Sequence, residues 1–176
     1  MEELRDQVGE TVFLGMRARG GRVRSGAKVP SRQAIRYDAL LDVSDPAFST
    51  AMGRVLLAHW DPRALDRHLG QERPVRYTDR TVIDRAEIRR LLVQIREQGY
   101  ALCDEEFEAG GSGVAAPVQG RDGMVFAALN VATPSARFPA KRATVIDAVR
   151  GYAAMLSRRS GHYGGAGGGG APRPGI

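Results

Sequence analysis

The stretch 99–138 constrains the fold of this chain more than any other part of the sequence. Two short apolar runs, 114–118 and 124–132, are rich in residues that favour β-strands, and Gly120 and Gly123 lie between them. Glycine accepts the backbone angles that tight hairpin turns require. The pattern therefore predicts a β-hairpin at the centre of a sheet.

A glycine-rich bend, 109–113, precedes this hairpin and follows the acidic segment 104–108. Missing side chains let the backbone approach a neighbour closely or adopt positive φ angles. A pocket beside the sheet is one use for such a bend.

The size and composition of the chain are those of one soluble domain. Its 176 residues suit a single core, since domains commonly contain about 100–150 residues. The hydrophobic share of 43% and the charged share of 26% are ordinary. No apolar run reaches the ~18 residues of a membrane span, and the first residues do not resemble a secretory signal. We therefore expect a cytoplasmic protein without a membrane partner.

Few residues carry the potential for chemistry. Cys103 is the only cysteine, which excludes a disulfide within the chain and a cysteine-based metal cluster. His59, His68 and His162 are not spaced as zinc ligands. Ser112 lacks the flanking residues of a nucleophile elbow and of a phosphate-binding loop. The sequence predicts neither an enzyme nor a metal or cofactor site.

The positive charge of the chain is concentrated in one segment. The formal net charge is +6, yet residues 11–37 contain seven cations and no carboxylate, so the remainder is slightly negative. The alternating stretch Arg22–Val29 carries Arg24 and Lys28 on one strand face. That face is either solvated and protected from edge pairing by its cations, or it directs Arg24 or Lys28 at a ligand carboxylate.

Periodicity and turn-forming residues predict the remaining elements. The predicted strands are 10–16, 22–29, 31–37 and one that begins at residue 100, with a loop at 38–46. The predicted helices are 1–8, 48–60 capped by Ser49 or Thr50, 62–69, 84–98 with a capping box from Asp84 and Glu87, and 139–159. Residues 160–176 are predicted to be a flexible glycine-rich tail.

Three motifs occur in order along the chain. Residues 46–58 read P-x-x-x-T-x-x-G-R-x-L-L-A, residues 78–84 read T-x-x-T-x-x-D, and residues 99–110 read G-Y-A-L-x-D-E-E-F-x-x-G before A-A-P-V and A-A-L-N-V-A. Together they resemble the ligand-sensing domain of IclR-type bacterial transcription regulators. The residues of these motifs are similar to those of the subgroup that senses protocatechuate, hydroxybenzoate or β-ketoadipate.

The resemblance implies an α/β (α+β) fold with a GAF/profilin-like, curved six-stranded antiparallel sheet flanked by helices. It implies that residues 1–9 end a linker helix, that residues 10–159 form the effector-binding domain, and that the family's N-terminal winged helix-turn-helix is absent. The implied partners are a small-molecule effector and further copies of the chain in a dimer or tetramer. DNA would be bound only through the absent domain.

The resemblance also implies a set of effector-binding residues. The contacts carried over are Ala51, Met52, Gly53, Cys103, Gly113, Asn130 and Ala132. Asp104 and Ser112 are close enough in sequence to add hydrogen bonds at the mouth of the site, and Arg24 is the candidate partner for a carboxylate. Asn130 is the foremost polar candidate because its amide both donates and accepts, although a core amide with satisfied hydrogen bonds is the alternative. A glycine at position 53 indicates close contact with either a ligand or a neighbouring segment.

The favoured hypothesis is a sensor that binds a small aromatic or dicarboxylic acid in a closed cavity. Binding would shift the populations of two dimer arrangements and so control the attached DNA-binding domains. The second hypothesis is an interaction or dimerisation module with a degenerate pocket, because the strand around Arg24 and the loop with Asp42 and Asp45 depart from the family pattern. Nonspecific binding of anions or nucleic acid by the basic segment, and a small hydrolase or isomerase, are the remaining alternatives.

Overall fold

The computed structural model describes residues 1–161, in which six strands form one antiparallel sheet flanked by five α-helices. In sheet order the strands are β3 (Ser44–Pro46), β2 (Arg22–Val29), β1 (Thr11–Arg17), β6 (Val125–Pro134), β5 (Gly111–Gln119) and β4 (Ala101–Asp104). The helices are α1 (Glu2–Val8), α2 (Ala51–Ala58), α3 (Pro62–Gln71), α4 (Arg85–Gln98) and α5 (Phe138–Arg159). The fold class implied by the resemblance is confirmed.

The sheet separates two hydrophobic cores. Successive side chains of a strand point to opposite faces. Val12 therefore joins the core formed with α1 and α5, whereas the next residue, Phe13, joins the core formed with α2 and α4. Both residues are almost completely buried. Each face of the central strands is thus covered, and the space beneath α2 is enclosed by protein on several sides.

The predicted hairpin is confirmed and lies in the middle of the sheet. β5 pairs with β6 so that Gly113 faces Ala132 and Ala115 faces Asn130. The turn is closed by a 2.9 Å hydrogen bond from the Gly120 amide to the Met124 carbonyl. Gly123 has a φ of 76°, a left-handed angle that glycine adopts without strain.

The prediction of a strand at 31–37 is wrong, as is that of a loop throughout 38–46. Residues 30–43 form no strand, and β2 pairs instead with the short antiparallel edge strand Ser44–Pro46. The hydroxyl of Ser31 donates to the Gly9 carbonyl at 2.7 Å, which ties this segment to the end of α1. Pro46 is compatible with an edge strand because no further strand needs its missing N–H.

The helix termini follow the predicted capping chemistry in part. Thr50 caps α2 by accepting a hydrogen bond from the Gly53 amide at 3.2 Å, and the residues before it form a short 3₁₀ turn (Ala47–Ser49). Asp84 caps α4 by accepting from the Glu87 amide at 2.8 Å. The reciprocal half of the predicted capping box is not formed, since the Glu87 carboxylate instead accepts from Arg90.

The two ends of the domain differ in what can be described. α1 ends at Gly9, which has the left-handed angles of a helix C-cap. The predicted tail lies almost entirely outside the described residues. None of the helices within residues 1–161 combines the length and the apolar composition that a membrane crossing requires.

Candidate functional site: a cavity between the sheet and helix α2

A cavity of about 70 Å³ lies between the sheet and the start of α2. A single water molecule occupies roughly 10–15 Å³ on this measure, so the space holds several waters or a small organic molecule. Seven of the ten predicted site residues surround it: Ala51, Met52, Cys103, Ser112, Gly113, Asn130 and Ala132. The cavity is not closed as predicted, because the exposed Glu108 belongs to its wall.

Three predicted residues do not line the cavity. Arg24 is on the outer face of β2, half exposed, with its guanidinium 3.8 Å from the carboxylate of Asp42. Gly53 packs on backbone, since a Cβ there would lie 2.2 Å from the Cα of Ala47. Asp104 accepts a hydrogen bond from Arg80 at 2.8 Å, outside the cavity. Its second oxygen also accepts the hydroxyl proton of Ser112, at 2.5 Å.

The period of two explains why Arg24 misses the site. Adjacent residues of a strand face opposite sides, and it is the neighbouring Ser25, not Arg24, that faces the cavity. A register shift in β2 pairs Lys28 with Phe13, so Lys28 lies on the cavity face, where its ammonium group is used by Asp38 and by the Ala39 carbonyl. The prediction that Arg24 and Lys28 share one face of β2 is therefore wrong, and the solvated face carries Arg22 and Arg24.

Two polar side chains in the cavity wall have no hydrogen-bond partner within the described residues. The Oδ1 atom of Asn130 is buried and makes no hydrogen bond, although the residue is only 5% exposed. The hydroxyl of Ser49, a residue with 0% exposure, is also unsatisfied. Leaving a buried polar group without a partner costs about 1–3 kcal/mol. Asn130 is thus not the satisfied core amide of the alternative interpretation.

The first turn of α2 adds backbone donors to the same wall. The amides of the first residues of a helix have no partner within that helix. Thr50 satisfies the amide of Gly53, which leaves the amides of Ala51 and Met52 at the positive end of the helix dipole. Both residues border the cavity. Gly113 keeps this space open, since a Cβ at that position would lie 3.6 Å from the Ala51 Cβ and 3.2 Å from the Asn130 Oδ1.

Glu106 forms part of the cavity wall, and its negative charge is neutralised by the buried guanidinium of Arg54. Arg54 is 1% exposed and donates through Nη1 to Glu106 Oε1 at 2.7 Å and through Nη2 to the other oxygen. Its Nε donates to the Phe48 carbonyl at 2.7 Å. The guanidinium is therefore fully used by the protein. Among the described residues that line the cavity, none is a lysine, arginine or histidine.

The opposite part of the cavity is acidic. The hydroxyl of Tyr37 donates to Glu108 Oε2 at 3.0 Å, and Asp45 lies in the same wall. Burial, together with the nearby charges of Glu108 and Asp45, raises the pKa of Tyr37, so the phenol keeps its proton. Burial, opposed by the charge of Arg22 and reinforced by that of Glu108, also raises the pKa of Asp45.

Tyr37, Asp45 and Glu108 were not among the site residues predicted from the sequence. Tyr37 and Asp45 belong to the segment whose path was predicted wrongly, and Glu108 stands in an acidic run typical of a solvated loop. No local sequence pattern predicts the contacts among these residues, because the contacts depend on how the segment 31–46 packs against the segment 105–111.

The remaining groups do not form a reactive site. Burial raises the pKa of Cys103 to about 12, so its thiol stays protonated. Within residues 1–161, no cluster of three or more His, Cys, Asp or Glu side chains is placed to hold a metal ion.

Comparison with known proteins defines the class of this domain. Residues 1–158 match the family described as "Bacterial transcriptional regulator IclR C-terminal". This match defines a regulatory domain of a transcriptional regulator, and the chain belongs to the IclR family. Because that family is regulatory, the prediction that the chain is not an enzyme is confirmed.

Individual relatives support the same assignment. The chain is 34% identical over 156 residues to the HTH-type transcriptional regulator KdgR of Escherichia coli (strain K12), a match that covers 89% of this chain and 57% of KdgR. It is 40% identical over 88 residues to the Pca regulon regulatory protein of Pseudomonas putida, covering 50% of this chain and 30% of that protein. The chain thus spans little more than half of KdgR and less than a third of the other regulator.

Solved structures agree with these sequence matches. The crystal structure of the C-terminal domain of E. coli KdgR superposes with a TM-score of 0.81 at 31% identity, covering 92% of this chain and 94% of that domain. The Thermotoga maritima IclR structure superposes with a TM-score of 0.85 at 26% identity, covering 92% of this chain and 65% of that one.

Proposed function

We propose that this domain senses a small molecule bound in the cavity beneath α2 and thereby controls DNA binding by an attached helix-turn-helix domain in the cytoplasm. The observation that carries this proposal is the unsatisfied Oδ1 of Asn130, buried at a cavity with room for a ligand. A ligand that satisfies this group in one arrangement of the protein and not in another shifts the population toward the first.

A carboxylic acid is the ligand class that the cavity supports best. The free amides of Ala51 and Met52 at the start of α2 are suited to a carboxylate, because helix N-termini attract anions. Asn130 lies across Gly113 from Ala51. Its Oδ1 atom only accepts hydrogen bonds, so a carboxylate is bound when the side-chain amide is rotated by 180° and Nδ2 donates to it. Phe13, Tyr37 and Phe107 provide apolar contact for the body of the ligand. These features support an aromatic acid, one of the two classes predicted from the sequence.

A short chain of hydrogen bonds connects the cavity wall to the end of α1. The carbonyl of Tyr37 accepts from the Thr11 hydroxyl at 2.7 Å, and that hydroxyl accepts from the Ser31 amide at 3.1 Å. The Ser31 hydroxyl in turn donates to the Gly9 carbonyl. A ligand that moves Tyr37 therefore acts on the helix that leads, in this proposal, to the DNA-binding domain.

Self-association, as a dimer or tetramer, belongs to the proposal. Large apolar side chains in the segment 35–43 are exposed, among them Ile35 at 75% and Leu40 at 76%. Exposed apolar groups in one segment are typical of an interaction surface. Sedimentation equilibrium of the wild-type chain and of an Ile35→Ser, Leu40→Ser variant measures the association. A wild-type monomer at micromolar concentration would contradict this part.

Calorimetric titration with protocatechuate, 4-hydroxybenzoate and β-ketoadipate tests the ligand. Binding of at least one acid is expected, and Asn130→Ala should weaken it by about tenfold or more, since a hydrogen bond to a charged group contributes about 1.5–3 kcal/mol. Thr133→Ala is the matched control: Thr133 is buried in the same strand but faces away from the cavity. The absence of heat with all three acids would favour an interaction module without an effector.

A further inference from the structure

The polar groups of the cavity are separated into two ends. Gly111 and Gly113 lie on the same face of β5, about 7 Å apart for a two-residue step. Next to Gly113 are Ala51 and the amide of Asn130, whereas a Cβ at Gly111 would lie 2.6 Å from the ring of Tyr37. β5 therefore separates two ends of the cavity: an uncharged end at Gly113, with Ala51 and Asn130, and the end at Gly111, with Tyr37.

The end at Tyr37 carries negative charge, and none of the described residues that line it is a cation. Tyr37 donates its only hydroxyl proton to Glu108, and Asp45 is close enough for its charge to act on Tyr37. Arg22, whose charge acts on Asp45, forms no ion pair with it and instead donates to the Ser44 carbonyl. The carboxylates at this end accept hydrogen bonds and repel other anions.

Arg54 cannot compensate this charge. Its guanidinium is used by Glu106 and by the Phe48 carbonyl, and the residue is almost completely buried behind the cavity wall. Lys28, on the cavity face of β2, is already paired with Asp38. A second carboxylate on a ligand that reached the Tyr37 end would therefore meet Asp45 and Glu108, with no cation among the described lining residues to offset the repulsion. A hydroxyl or ammonium group there would instead donate to these carboxylates.

We propose that the cavity selects a monocarboxylate with a hydrogen-bond donor at its far end, and that Asp45 and Glu108 exclude a dicarboxylate of the same length. This inference rests on the proposed function, because it takes the carboxylate of the ligand to be bound at the Ala51 end. Of the aromatic and dicarboxylic acids predicted from the sequence, it accepts aromatic acids with a hydroxyl group at the far end and rejects dicarboxylic acids.

Two matched ligand pairs test the selection by calorimetry. The pairs are 4-hydroxybenzoate with terephthalate, and 6-hydroxyhexanoate with adipate; each differs only in the group at the far end. For the pair whose hydroxy acid binds, we expect affinity at least about tenfold greater than for the dicarboxylate, since one like-charge contact near a protein surface is sufficient for that factor. In the double variant Asp45→Asn, Glu108→Gln the ratio should fall to about threefold or less.

Asp42→Asn is the control variant. Asp42 lies on the same segment as Asp45 but pairs with Arg24 on the outer face, so its removal should leave the ratio unchanged. Thermal melting confirms that each variant folds. If the wild type bound both members of a pair equally, the proposed selection would be overturned. An affinity ratio that persisted in the double variant would overturn it as well. Either result would leave small-molecule sensing intact. Failure of all four acids to bind would instead contradict the proposed function, and this inference with it.

Discussion

Arg54 holds the carboxylate of Glu106 through both of its terminal nitrogens, and this ion pair forms part of the cavity wall. The pair decides the electrostatics of the site, because the buried guanidinium of Arg54 is used up while only one of the three carboxylates in the described cavity wall is neutralised. From the sequence, Arg54 was identified only as part of the helix motif at residues 46–58. Its role follows from the tertiary contact across 52 residues.

The first prediction concerns this ion pair. Arg54→Met should lower the free energy of unfolding by about 3–5 kcal/mol, since it leaves Glu106 without its partner in a largely desolvated site. Urea denaturation followed by circular dichroism measures the change. Arg90→Met is the control, because Arg90 pairs with Glu87 on the exposed surface of α4 and should matter little. Equal effects of the two substitutions would contradict the structural role of Arg54.

The second prediction compares two helical glycines. Gly53→Ala should destabilise the domain by about 1–3 kcal/mol, because the new methyl group meets the backbone of Ala47 rather than a flexible side chain. Gly151→Ala, in the interior of α5 with nothing within 4 Å, should stabilise it by about 0.5–1 kcal/mol. Thermal unfolding of both variants provides the measurement. A stabilised Gly53→Ala variant would contradict this prediction, because it would show that the backbone at Ala47 moves away from the methyl group at little cost in free energy.

The third prediction concerns acid stability. Glu10 is completely buried and accepts hydrogen bonds from Arg137 at 2.9 and 3.0 Å and from Lys141 at 2.9 Å. Burial alone would raise the pKa of Glu10, but the hydrogen bonds and charges of the two cations outweigh it and lower the pKa below its ordinary value of 4.5. The stability that this carboxylate contributes is therefore present above pH 4.5 and is lost as the pH falls through the lowered pKa.

Glu10→Gln should reduce the free energy of unfolding at pH 7 by about 1.5–3 kcal/mol. The difference in unfolding free energy between the variant and the wild type should shrink as the pH falls through the lowered pKa of Glu10, because the carboxyl group of the wild type then becomes protonated. Urea titrations at a series of pH values measure both effects, with the exposed Glu3→Gln as the control. A difference that stays constant down to acidic pH would show that the charge of Glu10 is not what stabilises the fold.

Local sequence patterns predicted the elements whose formation depends on neighbouring residues. Asp84 and Gly99 bracket α4 in the structure as capping chemistry requires, and the hairpin at 111–134 forms about the glycine-containing turn. The alternation in β2 correctly separated Arg24 from Ser25, but a register shift, which no local pattern indicated, places Lys28 on the face opposite Arg24. The alternation did not indicate which face meets α2, so Arg24 was placed among the site candidates although Ser25 borders the cavity.

The sequence by itself determined the helices, the central hairpin and, through its three motifs, the family, because capping, periodicity and turn formation depend on residues close along the chain. The edge strand at Ser44–Pro46, the burial of Arg54 against Glu106 and the acidic end at Tyr37 were decided only by the tertiary structure. Each of these joins segments distant in sequence, and the free energy of such contacts depends on packing and desolvation that no local pattern records.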